Sequence, residues 1–172
     1  MIKFKIKNLY KVICVLFVFV VCNTKTSKEN ITSIESNKNQ DTGLKLAFKN
    51  HFLTGSALSV NDILDKDHAI KKIVKKEFNT ITPENCMKAE TVNPKPGVYD
   101  FEAADAFVAF GEENNMFIIG HTLIWHNQTP AWFFTNTKGE TNSTEEQKEQ
   151  LRKHIEAVAG RYAGKVQAWD VV

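Results

Sequence analysis

The sequence is poor in cysteine and lacks the glycine motifs of nucleotide-binding proteins. Of its three cysteines, Cys14 and Cys22 lie in the N-terminal segment and only Cys86 lies in the remainder, which excludes an internal disulfide framework. A lone cysteine without metal-ligand spacing is usually a small buried hydrophobe. No dinucleotide or phosphate-loop glycine motif follows any apolar run, which disfavours a Rossmann fold. We expect no cofactor, no metal and no nucleic-acid partner.

Long hydrophobic runs are also missing, but a short one stands near the N-terminus. Val12 to Val21 is an apolar run of ten residues preceded by four lysines, Lys3, Lys5, Lys7 and Lys11. As a helix it would span about 15 Å, too little for a bilayer core of about 30 Å. The charged start and short apolar run predict a secretory signal over residues 1–22. An uncleaved N-terminal anchor is the alternative.

Small residues are absent where a signal peptide is usually cleaved. No alanine or glycine precedes Gly43, so an ordinary cleavage site is missing. Val20-Val21-Cys22 resembles a relaxed bacterial lipobox, in which Cys22 would be lipidated; Val21 departs from the small residue usual there. The alternative is an ordinary apolar cysteine. We therefore expect a secreted or outer-surface bacterial lipoprotein that contacts the membrane only through this anchor.

Residues 23–43 are polar, with Ile31 and Ile34 as the only large apolar side chains. Such a segment buries too little surface to offset the entropy lost on ordering. It is predicted to be a flexible linker, which leaves residues 44–172 as the folded domain.

The folded part alternates apolar runs with helical patterns. Strands are predicted at 52–58, 78–82, 116–120 and 165–172, and three helices lie between them. Asp65 or Asp67 is predicted to cap the first helix, and Asp100 the second. Ser143 and Glu146 have capping-box spacing at the start of the third helix, which is predicted to end at Gly164. The order βαβαβαβ predicts an α/β fold with a buried parallel sheet. A TIM barrel needs about 250 residues, and about 120 follow Phe52, so about the first four strands and three helices are expected.

Polar side chains collect after the predicted strands, where chemistry on parallel sheets is usually found. Glu84, Asn85 and Lys88 follow the second strand, and His121 and Trp125 follow the third. Hydrogen-bonding groups beside an aromatic face suit a sugar, whose hydroxyls need partners and whose ring faces are apolar.

Each of these residues has a purely structural alternative. Glu84 and Lys88 could form a helical ion pair, His121 could be a core histidine bonded to backbone, and Trp125 and Trp132 could be core. A metal site at His121 and His126 lacks a third ligand.

Three sequence blocks then resemble glycoside hydrolase family 10, over about residues 44 to 172. They are Phe78-Asn79-Thr80-Ile81-Thr82-Pro83-Glu84-Asn85 with Met87-Lys88, Gly120-His121-Thr122-Leu123-Ile124-Trp125-His126 with Gln128-Thr129-Pro130 and Trp132-Phe133, and Trp169-Asp170-Val171-Val172. The resemblance implies a secreted endo-β-1,4-xylanase on a TIM barrel, monomeric when complete and acting on xylan or a related β-1,4-linked polysaccharide. It implies that Glu84, Asn85 and Lys88 bind sugar hydroxyls on the non-reducing side of the cut. His121 would bind the sugar at the reaction point, and Trp125 would pack beside it.

The same resemblance implies a retaining mechanism with two catalytic glutamates. The Trp-Asp-Val-Val run normally continues with Asn-Glu, whose Glu is the acid/base, and the nucleophile comes later; both are expected beyond Val172. Asp170 matches a structural position. Cys86 stands where an acidic residue is usual, and Ala89 where Trp or Pro is common.

The sequence is therefore compatible with more than one function. The chain is interpreted as the N-terminal fragment of a xylanase, truncated before its acid/base and inactive alone. The alternative is a non-catalytic xylan- or glycan-binding protein. A different barrel enzyme that shares only the sheet organisation is a third reading.

Overall fold

The structure is a computed structural model that describes residues 43–64 and 69–172. The predicted signal segment, the lipidation at Cys22, almost all of the linker and the predicted cap at Asp65 or Asp67 lie outside the described residues. Among those that are described, no helix has the length and apolar character needed to cross a membrane.

Four parallel strands form one sheet within the described part of the chain. They are β1 (Gly55–Leu58), β2 (Thr80–Pro83), β3 (Phe117–His121) and β4 (Ala168–Asp170), and their order in the sheet is their order in the sequence. Gly55 is in register with Thr80, Thr80 with Phe117, and His121 with Asp170. Strands that neighbour in both sequence and space and run parallel are the arrangement of a TIM barrel, so the predicted fold class is confirmed for this part of a barrel.

Helices lie between the strands. The longer ones are α3 (Ala69–Glu77), α5 (Glu102–Glu113) and α6 (Thr144–Arg161). Short helices, which the sequence pattern did not predict, are α1 (Leu44–Ala47), α2 (Val60–Leu64), α4 (Ala89–Val92) and a 3-10 turn at Ala131–Phe133. Four-residue segments such as α1 and α4 carry too little periodic pattern to be recognised from sequence.

The core lies between the sheet and the helices α5 and α6. Phe107 of α5, Ile81 of β2, Ile118 of β3 and Val158 of α6 are each 0% exposed. The two helices are also joined at the surface, where the Arg161 guanidinium donates to the Asp105 carboxylate at 2.6 and 2.8 Å.

The start of β1 differs from the prediction. Phe52 and Leu53 are 58% and 52% exposed, and the strand begins only at Gly55. The Phe52 amide donates to Phe48 and the two rings stack with centroids 4.7 Å apart, so Phe52 belongs to the turn that follows α1.

The other strand boundaries also shift. Pro83, one residue beyond the predicted strand 78–82, is the last residue of β2 and pairs with Leu58. Strand β4 covers only Ala168–Asp170, shorter than the predicted 165–172.

The helix caps are partly as predicted. Ser143 and Glu146 form the full capping box, with the Ser143 amide donating to Glu146 at 2.8 Å and the Glu146 amide donating to Ser143 Oγ at 3.2 Å. The prediction for Asp100 is wrong in position, because Phe101 is the N-cap of α5. Asp100 still accepts the Glu102 amide hydrogen at 3.1 Å. Helix α6 ends at Arg161, and Gly164 follows with a φ of +79° that favours glycine.

Candidate functional site

The carboxyl ends of β2, β3 and β4 lie at one edge of the sheet. The loop after β2 begins at Glu84, the loop after β3 begins at Thr122, and β4 ends at Asp170. A cleft of about 690 Å³ lies elsewhere; Asn79, Phe117 and Gln167 among its lining residues stand just before or at the start of strands. Functional groups on parallel sheets sit at the carboxyl ends, so the candidate site is the edge that carries the predicted polar residues.

Lys88 is the centre of a polar group that joins the two loops. It is 7% exposed, and its Nζ donates to Asn85 Oδ1 at 3.1 Å and to Gln128 Oε1 at 2.6 Å. The same nitrogen lies 4.9 Å from the centre of the Trp125 ring. We call Asn85, Lys88, Trp125 and Gln128 the Lys88 cluster. It gathers an ammonium, two amides and an aromatic face, which are groups that match sugar hydroxyls and an apolar sugar ring face.

The alternative of a helical Glu84–Lys88 ion pair does not hold. Residues 84–88 form turns rather than a helix, and the Lys88 ammonium is bonded to Asn85 and Gln128 instead. The Glu84 side chain is exposed, and among the described residues it forms no ion pair with Lys88.

Gln128 was not singled out from the sequence. Its side-chain Nε2 donates to Asn85 Oδ1 at 3.2 Å, and its backbone carbonyl accepts from the backbone amide of Glu90 at 2.9 Å. Its φ of +55° is rare for a residue with a side chain. The only signal in the sequence is its place in the block after β3, because a positive φ cannot be read from a glutamine.

His121 lies at the end of β3 and is paired with Asp170. Its Nδ1 is 2.8 Å from Asp170 Oδ2, and the two side chains are 28% and 44% exposed. The Asp170 carbonyl in turn accepts from Thr122 Oγ1 at 2.8 Å and from the Leu123 amide at 3.1 Å. The alternative of a core histidine bonded to backbone is therefore wrong. With Nδ1 held by a carboxylate, Nε2 is the ring nitrogen left for a ligand.

Among the described residues, the side-chain partner of His121 is Asp170 rather than a member of the Lys88 cluster; the loop that starts beside His121 carries Trp125 and Gln128. The other histidine of that loop, His126, lies 3.2 Å from the Asn127 amide through its Nε2. No group of three or more potential metal ligands exists among the described residues.

The tryptophans differ in their surroundings. Trp125 is half-buried, and its backbone carbonyl and amide are both bonded to the Thr129 hydroxyl, at 2.5 and 3.3 Å. Trp132 stacks on Phe133 with ring centroids 4.0 Å apart, and its buried indole Nε1 has no partner within the described structure. Trp132 thus packs as a structural residue, whereas the Trp125 ring lies beside the Lys88 ammonium.

Cys86 packs under the loop after β2. It is 4% exposed, and burial raises the pKa of its thiol to about 12, so the thiol stays protonated. It lines a cavity of about 250 Å³ together with Ser59, Asn61 and Asn85. Cys86 therefore behaves as the small buried hydrophobe expected from the sequence.

Comparison with known proteins agrees with this geometry. The family model for glycosyl hydrolase family 10 matches residues 43–172. A β-1,4-xylanase of Dictyoglomus thermophilum is 46% identical over 129 residues, which cover 75% of this chain and 34% of that protein. The chain thus spans about a third of the length of that relative.

Solved structures give the same result. A family 10 endoxylanase retrieved from a sugarcane soil metagenome matches with a TM-score of 0.72 and 43% identity, covering 75% of this chain and 38% of that one. A mutant protein in complex with xylotriose matches with a TM-score of 0.71 and 40% identity, covering 76% and 39%.

Proposed function

The chain belongs to glycosyl hydrolase family 10, and on that premise we propose that it is part of an endo-1,4-β-xylanase. Its substrate would be xylan or a related β-1,4-linked polysaccharide. The Lys88 cluster, with Glu84, would bind sugar units on the non-reducing side of the bond that is cut, and His121 would bind the sugar at the reaction point.

The observation that carries the proposal is the position of Lys88 between two amides and the Trp125 ring. The Lys88 ammonium keeps a third hydrogen after its bonds to Asn85 and Gln128. That hydrogen can be donated to a sugar hydroxyl. The ring of Trp125 gives the same sugar an apolar surface.

The reaction would be retaining hydrolysis, which needs two carboxyl groups about 5–5.5 Å apart. The Asp170 carboxylate oxygen Oδ2 lies 2.8 Å from His121 Nδ1. We therefore propose that Asp170 holds this histidine in position. Following the family pattern, we place the acid/base and nucleophile glutamates in sequence beyond residue 172. Residues 1–172 expressed alone should then release no reducing sugar from xylan.

The cellular setting is part of the proposal. The lysine-flanked apolar run and Cys22 support a secreted or lipid-anchored bacterial protein, monomeric when complete. Mass spectrometry of the mature N-terminus tests the lipid anchor. A lipidated Cys22 at that terminus would support the anchor, and an unmodified Cys22 would contradict it.

The test is activity and binding of the full-length protein. We expect reducing-sugar release from xylan and retention of the protein on insoluble xylan. Retention should be lost in Trp125→Ala and kept in the control Phe134→Ala, because Phe134 is an aromatic residue that is 45% exposed and lies outside the cluster. Retention without hydrolysis would favour the rival function, a non-catalytic glycan-binding protein. Absence of both would overturn the proposal.

A further inference from the structure

His154 is a fully buried polar side chain that contacts three segments outside its own helix. It lies on α6 and is 0% exposed. Its Nε2 is 2.8 Å from the Leu123 carbonyl oxygen, and its Nδ1 is 3.3 Å from the side-chain amide of Asn93. Its ring also meets Phe133 edge-on, with centroids 5.3 Å apart. Both ring nitrogens are thus partnered, as buried polar groups require.

The residues that His154 contacts belong to the two loops that form the Lys88 cluster. Asn93 is the C-cap of α4, the helix that begins directly after Lys88. Leu123 lies two residues before Trp125. At the cluster itself the loops are joined by the Lys88–Gln128 bond of 2.6 Å and by the Glu90 amide donating to the Gln128 carbonyl at 2.9 Å. His154 supplies a second connection between the same two loops, from the α6 side.

Asn93 extends this connection to the rest of the loop after β2. The residue is 1% exposed. Turned with its nitrogen away from the ring, its amide donates to the carbonyls of Lys95 and Val98 at 2.8 and 2.9 Å. Its oxygen then faces His154 Nδ1, and only a ring that is protonated on both nitrogens can donate to this oxygen and to the Leu123 carbonyl at once. In the opposite orientation, the Asn93 side-chain nitrogen donates to Nδ1 of a neutral His154 ring. The orientation of the amide and the proton on the ring are therefore coupled, so the two residues act as one unit.

We propose that His154 and Asn93 are a positioning pair that fixes the separation of the two loops and so the geometry of the Lys88 cluster. The inference rests on the proposed function, because it assigns the pair a role in binding xylan. An apolar side chain of similar size could fill the space beside Phe133, but it could bond neither the Leu123 carbonyl nor the Asn93 amide. A pure packing role would therefore leave the histidine unexplained.

The test compares His154→Leu, His154→Gln and Asn93→Ala in the full-length protein with Val158→Ala as the matched control. Val158 is also 0% exposed and also lies on α6, but it packs in the hydrophobic core and touches neither loop through a hydrogen bond. Since small displacements of binding groups are costly, we expect xylotriose affinity, measured by calorimetry, to fall about tenfold in His154→Leu and Asn93→Ala. His154→Gln, which can still donate to the Leu123 carbonyl, should lose less. Val158→Ala should lower the melting temperature with affinity within about twofold of the parent.

A readout without ligand separates this inference from the proposed function. Amide hydrogen exchange should speed up in residues 88–98 and 121–130 in the His154 and Asn93 variants, and not in Val158→Ala. Faster exchange in these loops with no xylotriose binding by the parent would contradict the proposed function alone. Unchanged exchange and unchanged affinity in the His154 and Asn93 variants, with the parent binding xylotriose, would overturn the positioning pair. Equal loss of affinity in Val158→Ala would do the same.

Discussion

The Lys88 ammonium lies 4.9 Å from the centre of the Trp125 ring, and one lysine thereby connects the loops after two neighbouring strands. Lys88 is 7% exposed, yet its hydrogen-bond partners, Asn85 and Gln128, are neutral amides. A buried cation without a counter-ion is costly unless it is well bonded. Sugar binding explains the presence of a buried lysine at this position more simply than stability of the fold does.

Replacing this lysine should therefore separate affinity from stability. Lys88→Met keeps most of the length of the side chain and removes the charge, so the melting temperature should stay the same or rise. Loss of a charged hydrogen bond costs about 1.5–3 kcal/mol, so xylotriose affinity should fall about tenfold to a hundredfold. Calorimetry and thermal unfolding on the full-length protein measure both. The control is Lys72→Met, an exposed lysine of α3; equal affinity in Lys88→Met and the parent would show that the cluster does not bind the sugar.

The sheet was predictable from the sequence because its strands are apolar runs separated by strong turn signals. The polar residues after β2 and β3 were found for the same reason, since a strand assignment fixes where its carboxyl end lies. The role of Gln128 could not be predicted, because it depends on a positive φ and on a contact with Lys88, 40 residues away. The His154–Leu123 contact spans 31 residues and was equally hidden, since a histidine inside an amphipathic helix gives no sign of its partner.

Gly120 should tolerate no side chain. A Cβ built on Gly120 would lie 2.3 Å from the Trp169 ring, so Gly120→Ala must displace the ring. Overpacking of this kind costs about 1–3 kcal/mol, and the midpoint of denaturant unfolding should fall accordingly. Gly160→Ala is the control, because nothing lies within 4 Å of its Cβ and it sits inside α6, where alanine is favoured by about 0.5–1 kcal/mol. If Gly120→Ala and Gly160→Ala changed the unfolding midpoint equally, the Trp169 ring would not pack against Gly120 of β3.

Cys86 should be unreactive in the folded protein. Burial raises the pKa of its thiol to about 12, so thiolate is scarce at pH 8, and the side chain is only 4% exposed. Because thiolate is the reacting species, iodoacetamide should label Cys86 only after unfolding. Peptide mass spectrometry distinguishes Cys86 from Cys14 and Cys22. Rapid labelling of the native protein at Cys86 would mean that the loop after β2 opens far more often than its packing indicates.

His154 should make stability depend on pH below neutrality. Burial lowers the pKa of His154, and the bond to the Leu123 carbonyl only partly opposes this. In the unfolded chain the pKa of histidine is about 6.5. As pH falls below that value, the unfolded state therefore binds a proton that the folded state resists, and the free energy of unfolding decreases by at most about 1.4 kcal/mol per pH unit.

This loss should begin below about pH 6.5 and continue down to the lowered pKa of the folded state. Carboxylates whose pKa is lowered, such as Asp105 beside Arg161, lose their contribution only at lower pH, below about 4. Urea unfolding of the parent and His154→Gln between pH 7 and 5 measures the effect, because glutamine cannot titrate. The difference in unfolding free energy between the two proteins should narrow as the pH falls across this window. A difference that stays constant would mean that His154 keeps its ordinary pKa in the fold, and a difference that widens would mean that the buried ring is protonated.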